Sequence, residues 1–130
     1  MGIQKQLSVF LANKPGTLAK MCATLGKAKI NILALAVSDT VDHAVVRLVV
    51  DHPDRACLLL GDTGALVVEN DVLMVELPNR PGELARVASK LAKAKMNIEY
   101  AYCTSGETQT TGVLLLRVAD PKKALKVLGR

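Results

Sequence analysis

A twenty-residue segment occurs twice in this chain. Residues 13–32 read NKPGTLAKMCATLGKAKINI, and residues 79–98 read NRPGELARVASKLAKAKMNI. Eleven of the twenty positions are identical without a gap, at an offset of 79 − 13 = 66 residues. In a chain of 130 residues that period leaves room for two copies of one supersecondary unit. Whatever the chain folds into, it must build the same unit twice.

Each copy has the same local grammar. Residues 6–12 and 72–77 are short apolar stretches that end in a turn, as strands do. Asn-x-Pro-Gly follows, with proline expected in the first helical turn, where its missing N–H costs nothing. Leu18, Met21, Cys22, Leu25 and Ala28 then recur at helical spacing. Their counterparts are Leu84, Val87, Ala88, Leu91 and Ala94, so each copy has one apolar helical stripe. The helices should end near Lys29 and Lys95. Second strands are expected over 31–37 and 97–103, polar turns over 38–42 and 105–109, and third strands over 44–50 and 113–118. Pro53 and Pro121 start second helices that carry Leu58, Leu59 and Leu60, or Leu125, Val127 and Leu128.

In the first copy residues 61–64 close the helix and a fourth strand is expected over 65–69. Asn70-Asp71 should turn directly into the second copy. The second copy stops after its second helix, so its fourth strand is missing. The expected fold is α+β: two tandem ferredoxin-like βαββαβ units, the second lacking its last strand, over residues 1–70 and 71–130. The open edge should be filled by another chain, filled by exchange between the copies, or left short. In the first strand Leu7, Val9 and Leu11 lie on one side and Phe10 and Ala12 on the other. An uncovered apolar sheet face calls for a further partner, the other copy or another chain.

The combination of apolar strand, Asn-x-Pro-Gly-x-Leu-Ala, amphipathic helix, x-Asn-Ile and strand resembles the ACT domain. The resemblance occurs twice and covers nearly the whole chain, and the layout is similar to small tandem ACT proteins with no catalytic domain. It implies a regulatory module that binds an amino acid or related metabolite. It also implies side-by-side association, with ligand at the interface between modules, and so a homodimer. ACT modules also occur as separate subunits that dock on a biosynthetic enzyme, and the sheet face or open edge would serve that role.

The chemistry of the turn fits such a ligand. A helix N-terminus presents backbone N–H groups without intrahelical partners, and its dipole favours an anion such as a carboxylate. Gly16, Thr17 and Leu18 would supply the donors after Pro15, and Gly82, Glu83 and Leu84 after Pro81. The missing Cβ of Gly16 allows close approach, so Gly16→Val should abolish binding at limited cost in stability. Glu83 either satisfies its own helix or repels a carboxylate, which makes the first turn the better site. Asparagine offers a donor and an acceptor, so Asn31 and Asn97 could accept from an ammonium group. All four asparagines could equally cap helices or brace turns. The candidate ligand-contacting residues are Asn13, Lys14, Pro15, Gly16, Thr17, Leu18, Asn31 and Ile32 in the first copy. In the second they are Asn79, Arg80, Pro81, Gly82, Glu83, Leu84, Asn97 and Ile98.

Other functions find little support. RNA-recognition modules of this topology stack bases on aromatic strand residues. Here the first strand offers Phe10 alone, and the two tyrosines, Tyr100 and Tyr102, lie elsewhere. A net charge of +5 is spread over helix lysines that read as solvated faces. His43 and His52 lack ligand spacing and read as turn or surface residues, so no metal is expected. Cys22 falls on a helical stripe and reads as core, as does Cys57; Cys103 could be exposed. Three unpaired cysteines fit a reducing cytosol, and a cytoplasmic location is expected. No nucleophile, base and acid recur together, and Asp39, Asp42 and Asp51 gather only around turns. A non-enzyme is expected, with no cofactor, nucleic-acid or membrane partner.

Overall fold

The computed structural model describes residues 1–39 and 43–129. The turn expected at 38–42 therefore falls largely outside the described residues, as does the side chain of Asp42. The described elements run β1 Gly2–Ala12, α1 Thr17–Lys27, β2 Ile32–Asp39, β3 His43–Val50, α2 Pro53–Asp62, β4 Leu66–Pro78, α3 Glu83–Lys93, β5 Tyr100–Thr104, β6 Thr111–Arg117 and α4 Pro121–Leu128. This is the mixed α+β, ferredoxin-like architecture that the repeat implies.

The chain divides into two compact modules. The first is Lys5–Asn70, and the second is Met1–Gln4 together with Asp71–Arg130. In the first the strand order is β2-β3-β1-β4, and in the second it is β1-β4-β6-β5. Several features differ from the sequence-based picture: β1 begins at Gly2 rather than at 6, and β5 begins at Tyr100 rather than at 97, which leaves Asn97 and Ile98 ahead of the strand. Asn70-Asp71 does not turn, because β4 runs unbroken from Leu66 to Pro78. Apolar, β-rich sequence flanks that polar pair on both sides, and pairing along a ladder overrides two weak strand formers. Residues 1–4 group with 71–130 rather than with 5–70. The place of the missing fourth strand, beside β4, is taken by the start of β1, and Ile3 packs on the second core. Of the three outcomes for the open edge, exchange within the chain is the one observed.

Each module has its own core. In the first, Leu7 and Val9 of β1 meet Met21 and Leu25 of α1, Val46 and Leu48 of β3, and Ala56 and Leu60 of α2. In the second, Leu73, Val75 and Leu77 meet Val87, Leu91, Leu114, Leu116, Ala124 and Val127. The helical stripes are narrower than their sequence suggests. Leu18 and Leu84, in the first turns, are exposed, as is Ala88, and Leu58 of α2 is 72% exposed. Cys22 and Cys57 are half-buried against the first core, and Cys103 is exposed. Burial pushes the Cys57 thiol pKa up, and the neighbouring Glu69 carboxylate adds to the shift.

The sheet face away from the helices is not bare. Gln6, Ser8 and Val49 are buried there, while Phe10 and Ala12 are exposed as expected. Leu33, Leu35 and Val37 of β2, an edge strand in its module, are exposed as well, as are Leu66 and Val68 of β4.

Candidate functional site

The Asn-x-Pro-Gly segment is a turn ahead of the helix rather than its first turn. Gly16 has φ 91° and ψ −16°, and Gly82 has φ 91° and ψ −11°. These are the angles of the third residue of a type II β-turn, which favours proline just before it. Thr17 N–H reaches back to Lys14 O at 3.5 Å, and Glu83 N–H to Arg80 O at 3.5 Å. The helices begin only at Thr17 and Glu83. Pro15 and Pro81 thus set the turn, and the glycines are needed for their positive φ.

That geometry changes the expectation for Gly16→Val. A Cβ at Gly16 would meet nothing within 4 Å, so crowding is not the cost. The backbone is: a β-branched residue at this φ is strained by about 2 kcal/mol. Gly16→Val should lower the urea midpoint of the free protein whether or not a ligand is present, so it is a poor probe of binding.

The fourth residue of each turn, Thr17 or Glu83, distinguishes the two copies. Thr17 Oγ1 donates to Ala12 O at 2.8 Å and sits 3.1 Å from Lys14 O, tying the helix to the strand before it. Glu83 neither caps its helix nor stands free to repel an anion. Arg80 Nε donates to one carboxylate oxygen at 2.9 Å and Arg86 Nε to the other at 3.0 Å. Glu83 is only 8% exposed. The changes Lys14 to Arg80, Thr17 to Glu83 and Lys20 to Arg86 therefore belong together. The hydrogen bonds from Arg80 and then Arg86 hold the Glu83 carboxyl below the ordinary value of 4.5. A depressed folded-state pKa gives stability that is present above the unfolded value and lost as pH falls through the folded one. Thermal midpoints measured from about pH 5 down to about pH 3 should fall faster for the wild type than for Glu83→Gln. Parallel curves would mean that the clamp is energetically idle.

The asparagines also separate. Asn79 Nδ2 donates to Gly106 O at 2.8 Å and Gln109 O at 3.0 Å, so its amide braces the β5–β6 loop. The corresponding loop beside Asn13 includes residues outside those described. Asn31 precedes β2, and its backbone N–H donates to Asp51 Oδ1 at 2.9 Å. Neither Asn31 nor Asn97 forms the left-handed helix C-terminus: Lys29 and Lys95 do, each at φ 59°.

Within one module the turn and the start of the second strand stand apart. Ala12 pairs with His43 and Ile32 with Val50, seven residues apart on β3, or about 23 Å of strand. In the second module Pro78 pairs with Thr111 and Tyr100 with Arg117, six residues apart on β6 and about 20 Å. Asn13, Lys14, Pro15, Gly16 and Leu18 are exposed at one end of the first module, and Asn31, with the half-buried Ile32, at the other. In the second, Asn79, Arg80, Glu83 and Leu84 border a cleft of about 110 Å³ with the end of β5. Pro81 and Gly82 are exposed on the same turn, and Asn97 lies in a separate recess with Lys95 and Lys123. Leu84 and Ile98 share an apolar groove of about 220 Å³ between α3 and β5.

Another cavity, of about 270 Å³, lies in the first module, lined by Thr17, Lys20, Met21 and Thr24 of α1, the end of β1, and Leu60, Thr63, Gly64 and Ala65 at the end of α2. Of its lining only Thr17 stands out from the sequence. The signal that marks it is the pairing of positions 17 and 20 with 83 and 86, which becomes legible once Glu83 and Arg86 are seen to bond.

Against known families, the chain matches the ACT domain pair over residues 1–129. The chain belongs to the ACT domain family. Among solved structures it is similar to protein BT0572 from Bacteroides thetaiotaomicron, with 34% identity, 98% of this chain and 87% of that one covered, and a TM-score of 0.91. It shares its fold with the ligand-free regulatory subunit of aspartate kinase from Thermus thermophilus, at 17% identity, with 99% and 96% of the two chains covered and a TM-score of 0.75. The regulatory subunit of aspartate kinase from Thermus flavus shares it as well, at 16% identity, 99% and 95% coverage and a TM-score of 0.68. No curated protein matches the chain. Among the described residues of this ACT pair, no group of three His, Cys, Asp or Glu is placed to hold a metal ion. Among the described residues no helix is long and apolar enough to cross a membrane.

Proposed function

We propose that this ACT pair is a non-catalytic regulatory protein that binds an amino acid, and that it works as a cytoplasmic homodimer. The ligand lies at the interface between modules, where the Pro-Gly turn of one faces the start of the second strand of a neighbouring one. The observation that carries this reading is the separation of the two half-sites. Each exposed turn stands about 20 Å from the asparagine of its own module, so a ligand that touches both needs a second module beside the first. The exposed β2 edge, with Leu33, Leu35 and Val37, supplies apolar surface for that pairing.

Backbone N–H groups at Gly16 and Leu18 take the carboxylate, and the side chain of Asn31 takes the ammonium. The second turn is the poorer acceptor, since Glu83 already places a carboxylate there. A thermal-shift screen of the isolated protein against the twenty standard amino acids tests the reading. A ligand at a hundred times its Kd adds about 2.7 kcal/mol of apparent stability, a shift of several degrees. Asn31→Ala should erase that shift, and sedimentation should give a dimer. A flat screen sinks the reading.

The same exposed β2 edge supports a second reading, a regulatory subunit that docks on a biosynthetic enzyme. Two of the similar structures are regulatory subunits of aspartate kinase. A stoichiometric enzyme that co-purifies with the chain, combined with a flat amino-acid screen, would favour it.

A further inference from the structure

The two copies treat one helix face in opposite ways. Positions 17, 20, 21 and 24 of α1 correspond to positions 83, 86, 87 and 90 of α3, and both sets lie on one face at helical spacing. In the second module that face holds a carboxylate supplied by the chain itself. Glu83 is almost fully buried, and Arg86 donates to it at 3.0 Å. In the first module Thr17 replaces the glutamate, Lys20 replaces the arginine, and the same face borders the cavity of about 270 Å³. The cation has been kept and its carboxylate removed. Lys20 has no acidic partner among the described residues.

From this we propose that the cavity between α1 and the end of α2 takes a short aliphatic carboxylate from solution, held on Lys20 in the position that Glu83 fills in the other copy. Leu11, Met21 and Leu60 form an apolar wall for a branched hydrocarbon tail. The threonine hydroxyls have already given their protons to the backbone: Thr17 to Ala12 O, and Thr24 to Lys20 O. What they still offer is acceptor lone pairs, which suit an ammonium group on the ligand. A free carboxylic acid and an aliphatic amino acid share this chemistry. The site lies inside one module, shares only Thr17 with the turn-and-strand site proposed above, and does not depend on it.

NMR titration of the full chain with isovalerate, L-leucine and isoamyl alcohol tests it. Isovalerate should give saturable shifts at Leu11, Met21 and Leu60 while Leu77 and Val87 stay still. Lys20→Met keeps the length of an exposed side chain and removes its charge, so it should weaken binding about tenfold, one charge-assisted contact, at unchanged melting temperature. Thr17→Glu with Lys20→Arg rebuilds the internal carboxylate and should abolish binding; should that double variant not fold, Lys20→Met still decides. Tighter binding of L-leucine than of isovalerate identifies the amino acid as the source, and the reverse order the free acid. The proposal is overturned if no probe saturates by about 50 mM. Equal shifts at Val87, equal binding of isoamyl alcohol, or unchanged binding by Lys20→Met would each overturn it too.

Discussion

Leu25→Ala should remove about 3 to 4 kcal/mol from the first module, in line with other fully buried leucine truncations. Leu25 is completely buried, one helical turn beyond Met21, where α1 meets β1, β3 and α2. Truncation loses the transfer energy of its side chain and leaves a cavity that a helix anchored at both ends cannot close. One end is the type II turn with the Thr17 hydroxyl bond; the other is the left-handed Lys29, with Arg55 donating to Ala28 O at 3.0 Å. A module of 66 residues, from Lys5 to Asn70, is stable by roughly 3 to 10 kcal/mol in total, so this one change approaches the whole. Leu91→Ala repeats the experiment at the equivalent place in the second module, where Leu91 is also completely buried. Leu58→Ala, on the 72% exposed face of α2, should stay within about 0.5 kcal/mol. Urea unfolding followed by circular dichroism reads all three. A cost below about 1 kcal/mol at Leu25 would contradict the packing described for it.

Leu25 and Leu91 were legible in the sequence because helical periodicity and the repeat mark them twice over. The same signal overreached at Leu18 and Leu84, which share the stripe but lie in the first turn and stay exposed. Pro15-Gly16 was legible as punctuation, though its backbone type was not: a type II turn and a first helical turn both accept proline, and only the φ of Gly16 separates them. The Glu83 clamp was hidden for another reason. Lys-to-Arg exchanges look conservative one at a time, and their purpose shows only when Arg80 and Arg86 are seen to converge on one carboxylate. The half-sites at Asn31 and Asn97 are placed by strand register, which fixes them at the far end of each module from the turns. The continuity of β4 was the least legible feature. Asn70-Asp71 has strong turn composition, and nothing local says that ladder pairing on both sides will hold it extended.

That continuity sets up the second large effect, removal of Met1–Gln4. Gly2–Gln4 form the start of β1 beside β4, and Met1–Gln4 group with 71–130. Deleting them strips ladder hydrogen bonds worth about 1 kcal/mol each net. It also removes Ile3 from the second core, a loss of about 1 to 2 kcal/mol for a partly buried side chain. The sum is roughly 3 kcal/mol, all of it taken from the second module although the cut is made at the other end of the chain. Hydrogen exchange should accordingly quicken at Leu73, Val75 and Leu77 and change little at Leu7 or Val46. The bared stretch of β4 would also present unpaired N–H and C=O groups, so the shortened chain should self-associate at concentrations where the full chain does not. Ile3→Ala separates the two contributions: it removes the side chain, keeps the backbone pairing, and should cost about 1 kcal/mol without self-association. If exchange instead quickened throughout Lys5–Asn70 and spared the second module, the first strand would belong wholly to the first copy, and the second would close its edge by some other means.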